Sequence, residues 1–176
     1  YFMQIPVFEN EFYQGCKEEI LNVLKIKRND VDYSIPFILC SNGYLYIYLN
    51  DLKTLSKIQP DFNELKKLCN SGSGYNAITL FTKETFKKEN DAHLRFFAPA
   101  FGINEDPVTG SANGPLLLVM KKLGFISDNE HIIIKNFEQG DIIGRPGRVQ
   151  VKYNCVENEL FISGNAVTVM KGVMFF

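Results

Sequence analysis

At 176 residues, the chain has the length of one domain, since domains run to roughly 100 to 200 residues and a chain of this size buries a sizeable core. Its 19 basic and 20 acidic residues leave a formal charge of −1, which argues against a nucleic-acid footprint built on a strongly basic face. No apolar run approaches the ~18 residues of a membrane span, and the N-terminus lacks the basic and apolar regions of a signal peptide; a soluble, cytoplasmic chain is expected.

The chain opens at Tyr1 with YFMQIPVF, which reads as an apolar strand entered part-way and hence as the start of a fragment. A first helix is predicted over 15–25, where Cys16, Ile20, Val23 and Leu24 share a face and Lys17, Glu18 and Glu19 lie outside it. Strands are predicted over 35–40 and 44–49, rich in β-branched and aromatic residues, with Ser41, Asn42 and Gly43 between them as a hairpin signal. A second helix over 61–69 has Asp61 to cap its first turn and an apolar stripe of Phe62, Leu65 and Leu68. Strands follow over 77–81 and 93–99, separated by the charged tract KETFKKEND, a solvated loop. PLLLVM, residues 115–120, forms the core of a helix apolar on every side and therefore enclosed, with Lys121 and Lys122 in its last turn and Gly124 as its C-terminal cap. Four further strands are predicted over 132–135, 149–153, 160–163 and 166–175. The pattern is α+β, mostly antiparallel sheet wrapped around one central buried helix.

The turn DPVTG precedes that helix. Pro107 fixes one backbone angle, and Gly110 lets main chain come close to a ligand. The helix N-terminus carries unpaired amides and partial positive charge, which favour an anion. The amides near Gly110, Ser111 and Ala112 can hold a small carboxylate, with Asp106 placed to accept a proton or a substrate amino group. The competing structural reading makes Asp106 a turn cap, Ser111 an ordinary helix N-cap, and Gly110 a response to a backbone angle.

Other polar residues carry less. His93 and Arg95 face the same side of one strand; Arg95 reads as a structural ion pair and His93 as an exposed strand position. His131 stands alone near a turn. Cys16, Cys40, Cys69 and Cys155 are far apart and form no CxxC pair, so neither a zinc knuckle nor a thioredoxin-like motif is supported and free thiols are expected. Two histidines and scattered cysteines do not supply a metal site, and NSGSGYNA lacks the lysine and context of a phosphate loop. No metal and no cofactor are expected.

EDPVTGSA at 105–112, preceded by RFFAP at 95–99, resembles the signature of the PhzF-like phenazine biosynthesis family, which shares the diaminopimelate epimerase fold. IQPDFNELKKL at 58–68, QGDIIGRPGRVQV at 139–151 and the closing ISGNAVTVMKGVMFF are also similar to segments of that family. The resemblance spans the whole chain but only the later part of a family member. It implies two similar halves, each a sheet around a central helix, with the active site in the cleft between the two helix N-termini. On that footing residues 1–176 are a single domain, the second half, and the N-terminal half is missing together with the family's proton-shuttling glutamate; Glu105 is not its counterpart. The motif carries over Asp106, Gly110 and Ser111, with Thr109 a weaker candidate. Gly147 replaces the serine that often follows GRP, and 113–115 replaces smaller residues at the helix opening.

The resemblance implies a cofactor-independent isomerase that moves a proton on a small carboxylic acid, pairing as a homodimer, with this fragment inactive alone. Two other readings stay open: a non-catalytic small-acid binder or sensor of the same fold, and a structural or dimerisation module.

Overall fold

A computed structural model describes residues 2–127, 129–165 and 168–174. In chain order the elements are β1 (Phe2–Ile5), β2 (Asn10–Phe12), α1 (Lys17–Leu24), β3 (Ile38–Cys40), β4 (Tyr44–Tyr48), α2 (Leu52–Lys57), α3 (Phe62–Cys69), β5 (Ala77–Thr82), β6 (Ala92–Ala98), β7 (Ile103–Asp106), α4 (Gly110–Lys122), β8 (Ile132–Gln139), β9 (Gly147–Asn154) and β10 (Glu159–Ser163). The strands form one sheet in the order β1-β10-β9-β8-β6-β5-β4-β3-β2, with β7 added onto β6. Most pairings are antiparallel; β4 with β5 and β6 with β8 are parallel. The result is a mixed α+β fold, a curled β half-barrel with few helices.

The period of two along each strand sorts its side chains between two apolar layers. On β6, Ala92, Leu94, Phe96 and Ala98 pack into one cluster with Ala112 and Leu116 to Met120 of α4. On the same strand Phe97 enters the other cluster, with Ile20, Leu21 and Leu24 of α1, Leu55 of α2 and Leu65 and Leu68 of α3. β5 divides likewise, Ala77 and Phe81 to the α4 side, Ile78 and Leu80 to the other. Both strands are buried along their whole length, as expected of strands covered on two faces.

Local chemistry accounts for several element ends. Asp61 caps α3 by accepting from the amides of Asn63 and Glu64, and the β3–β4 hairpin turns at Gly43, with φ +82. α4 closes as the sequence suggests: Gly124 has φ +75, its amide reaches Lys121 O, and that of Phe125 reaches Met120 O. The opening differs from expectation. α4 begins at Gly110, so Pro115 sits inside the helix rather than in its first turn. Its missing N–H leaves the Ser111 carbonyl without an intrahelical donor, and Asn42 Nδ2 approaches that oxygen at 3.4 Å.

Four further departures are local. The six-residue α2, capped by Asp51, and the short strands β2 and β7 carry too few residues for a periodic signal. Of the strand predicted over 166–175, residues 168–174 carry no strand and expose Val169, Met170, Val173 and Met174; Ala166, Val167 and Phe175 lie outside the described residues. β1 pairs with β10.

Candidate functional site

β7 delivers Asp106 to the mouth of α4, and the turn 107–109 leads directly into the helix. Asp106 is half-buried, Thr109 and Ala112 are buried, Gly110 is partly covered, and Ser111 is exposed. The predicted residues Asp106, Thr109, Gly110, Ser111 and Ala112 therefore converge on one helix N-terminus. Ser111 is not the N-cap. That position belongs to Thr109, whose side chain makes no capping hydrogen bond; its hydroxyl instead donates to Asp106 Oδ2 at 2.5 Å.

A threonine at this position normally satisfies an amide of the first turn, a contribution of about 1 kcal/mol. Here that contribution is forgone, and α4 keeps its opening amides. The amides of Ala112 and Asn113 turn back to Thr109 O at 3.1 and 2.9 Å, so those of Gly110 and Ser111 are the ones that helix geometry leaves for an outside acceptor. The Ser111 hydroxyl lies 3.3 Å from the Tyr44 hydroxyl, and Tyr46 OH donates to Ala112 O at 3.0 Å. Two tyrosines of β4 thus brace the start of α4.

Behind the turn lies a buried amide pair that the sequence reading missed. Gln139, at the end of β8, is 1% exposed and Asn113 is 0% exposed. Gln139 Oε1 accepts from the Thr109 amide at 2.9 Å and from Asn113 Nδ2 at 2.7 Å. Its Nε2 donates to Asp106 O at 2.7 Å and to Thr109 Oγ1 at 3.0 Å. Asn113 Nδ2 also donates to Thr109 O at 2.8 Å. The QG segment was visible as a motif, but nothing in its spacing ties it to residues thirty positions earlier.

Glycines shape the surroundings. A shallow cavity of about 430 Å³ beside Gly110 is lined also by Met3, Val108, Gly147, Val149 and Ile162. A Cβ on Gly110 would come within 2.6 Å of Ile162 Cδ1, and one on Gly147 would run into Val108 of the turn.

His93 and Arg95 lie elsewhere. Arg95 makes the expected ion pair, donating through Nε and Nη2 to the two oxygens of Glu105 at 2.8 and 2.7 Å, while Nη1 donates to Leu55 O and Ile58 O. His93 corrects the expectation of an exposed position: it is 0% exposed, because β6 is an interior strand flanked by β5 and β8. His93, Glu138 and Asp141 bring ligand-type atoms within 4.8 Å of one another. Protein donors already engage these carboxylates. Glu138 accepts from the amides of Phe86 and Lys87, from Asn90 Nδ2 and from His93 Nδ1 at 2.7 to 3.1 Å, and Asp141 takes both terminal nitrogens of Arg148 at 2.8 and 2.7 Å. A guanidinium supplies the positive charge a cation would bring, which marks the cluster as structural.

Burial pulls the His93 imidazole below its ordinary value, outweighing the bond to Glu138 and the nearby carboxylates. Burial pushes the Glu138 carboxyl up, but its hydrogen bonds, that from Asn90 foremost, together hold it below the usual range.

The family model described as phenazine biosynthesis-like protein matches residues 1–172. An uncharacterized isomerase of Clostridium acetobutylicum is 40% identical over 167 residues, covering 88% of this chain and 53% of that protein. The trans-2,3-dihydro-3-hydroxyanthranilate isomerase of Pseudomonas fluorescens is 29% identical over 171 residues, covering 91% of this chain and 54% of its own. Among solved structures, a Bacillus anthracis phenazine biosynthesis protein of the PhzF family superposes with a TM-score of 0.83 at 26% identity, over 93% of this chain and 56% of that one. The chain spans about half the length of the curated relatives it matches.

Proposed function

The chain belongs to the phenazine biosynthesis-like family, and from that membership we propose that it is the second half of a cofactor-independent isomerase that moves a proton on a small carboxylic acid. In this reading residues 1–176 form one domain, half of a diaminopimelate epimerase-like fold with α4 at the centre of its curled sheet. An N-terminal half supplies the facing wall of the cleft and the principal acid/base carboxylate. The whole protein works in the cytoplasm as a homodimer.

One observation carries the proposal: the N-cap residue of α4 turns its hydroxyl to Asp106 instead of to the helix. The amides of Gly110 and Ser111, with the start of α4 at Ala112 behind them, are thereby kept for the substrate carboxylate. Asp106 stands beside them to receive a proton or to hold a substrate amino group, and the Ser111 hydroxyl adds a donor. Thr109 borders this pocket. The Pseudomonas fluorescens relative is named for a substrate with a carboxylate, which is the chemistry such a helix end favours.

The test is solvent deuterium incorporation by the full-length protein, with trans-2,3-dihydro-3-hydroxyanthranilate and a panel of small amino and hydroxy acids. Asp106→Asn is expected to slow exchange about 100-fold or more. Exchange at the unmodified rate removes Asp106 from the mechanism. Binding of an acid with no exchange in the unmodified protein indicates a sensor of the same fold.

A further inference from the structure

We infer that Gln139 and Thr109 are positioning residues that form a one-way hydrogen-bond relay onto Asp106, fixing Oδ2 as an acceptor and leaving Oδ1 for the substrate. The inference rests on the proposed role of Asp106 and names how that role is set. The direction of the relay follows from partners whose chemistry is unambiguous. A backbone N–H only donates and a backbone carbonyl only accepts. Gln139 faces the Thr109 amide at 2.9 Å with one end of its side chain and the Asp106 carbonyl at 2.7 Å with the other. The first end must therefore be the oxygen and the second the NH2, which settles the amide orientation without appeal to its own electron count.

The Gln139 NH2 lies 3.0 Å from Thr109 Oγ1, so that oxygen receives a hydrogen bond. A hydroxyl has one proton of its own, and Thr109 directs it at Asp106 Oδ2, 2.5 Å away. Oδ2 is the acceptor in that bond, and among the described residues no protein group is drawn to Oδ1 in the same way. Asn113 locks the arrangement by donating to both Gln139 Oε1 and Thr109 O, and all three supporting side chains are at least nine-tenths buried, where water does not compete and the bonds reinforce one another.

The relay engages Oδ2 as an acceptor and turns Oδ1 toward the substrate as the oxygen that receives a proton or holds a cation. Neutron diffraction from deuterium-exchanged crystals of the full-length protein reads this directly. Deuterium is expected on Thr109 Oγ1 along the line to Oδ2; a deuteron on Oδ2, or a Thr109 hydroxyl turned elsewhere, overturns the relay whatever the reaction. Kinetics supply the second measurement. Thr109→Ser keeps the hydroxyl and is expected to hold kcat within about threefold, whereas Thr109→Val and Gln139→Leu lower kcat by roughly 10- to 100-fold with KM changed by less than about threefold. Undiminished kcat in a folded Thr109→Val variant refutes the positioning role. If Asp106→Asn is equally silent, the fault lies with Asp106 as a reacting group, and the neutron map alone decides the relay.

Discussion

Arg95 shows how much one side chain can settle. Its guanidinium fork matches both oxygens of Glu105, and the nitrogen left over reaches two main-chain carbonyls at the end of α2. Its carbon also lies 4.9 Å from the centre of the Phe97 ring. Charged groups this deeply buried persist because nearly every donor is matched. Arg95→Met is therefore expected to destabilise the protein by about 3 to 5 kcal/mol, because it strands the Glu105 carboxylate beside two unpaired carbonyls. Adding Glu105→Gln is expected to recover part of that loss, since the second change removes the stranded charge. Urea unfolding of the full-length variants measures both, and a single variant as stable as its parent contradicts the ion pair's structural role. The pairing was half legible in the sequence: an arginine within an apolar strand demands a partner. Which partner depends on the turn at Pro99–Phe101 and on Gly102, whose φ of +79 lets β7 fold back along β6.

At the scale of elements, the site is a junction between the end of β8 and the start of α4, and Gly140 is where they touch. Its φ is +86, and a Cβ there would meet Arg145 O on one side and Pro107 O, 2.6 Å away, on the other. Both neighbours are backbone and cannot swing aside. Gly140→Ala is expected to cost about 2 to 4 kcal/mol, combining a left-handed conformation with a steric clash. Because Pro107 and Gln139 are its neighbours, the same change should displace the Asp106 turn and reduce activity in the molecules that still fold. Thermal unfolding and activity measured together check this; a variant with unchanged melting temperature refutes the close approach. The same junction explains what could be read from the chain. PLLLVM announced an enclosed helix because no polar face interrupts it, yet GSANG holds poor helix formers, so the true start at Gly110 comes from tertiary partners, Gln139 and Tyr46 among them. EDPVTGSA named the residues that gather at the N-terminus of α4, while the residues behind them were hidden because they come from β4 and β8, distant in sequence. The parallel pairing of β4 with β5 was hidden for the same reason.

Across the whole molecule, the His93 cluster ties together β6, β8, the turn after β8, the 84–91 loop and β9, and it does so with groups that titrate. His93 Nδ1 faces Glu138 Oε2 at 3.1 Å and Asp141 Oδ2 at 3.9 Å, with Arg148 beside both carboxylates and the Phe86 ring edge-on. Glu138 needs a donor at Nδ1, and Nε2 is buried without a partner. The neutral imidazole fits that environment: a proton on Nε2 would have no acceptor and would add charge where burial already disfavours it. Folded His93 thus binds its proton more weakly than the unfolded chain, whose ordinary value is 6.5. Wherever the unfolded state binds more protons, stability rises with pH. Stability should therefore be fully present above about pH 6.5 and decline as pH falls below it. A second decline is expected below the ordinary glutamate value of 4.5, where the unfolded chain takes up a proton at Glu138 while the folded chain, in which that carboxyl is held low by its donors, stays ionised there. Urea midpoints of the full-length protein between pH 8 and pH 4 provide the measurement, with His93→Gln as the comparison, because glutamine can still donate to Glu138 but cannot titrate. The variant is expected to flatten the decline between pH 6.5 and 4.5 while keeping the one below it. A parent protein that gains stability on acidification would show that the imidazole is charged in the folded state and that the cluster is held by attraction; a variant with the same slope as its parent would show that the decline does not come from His93.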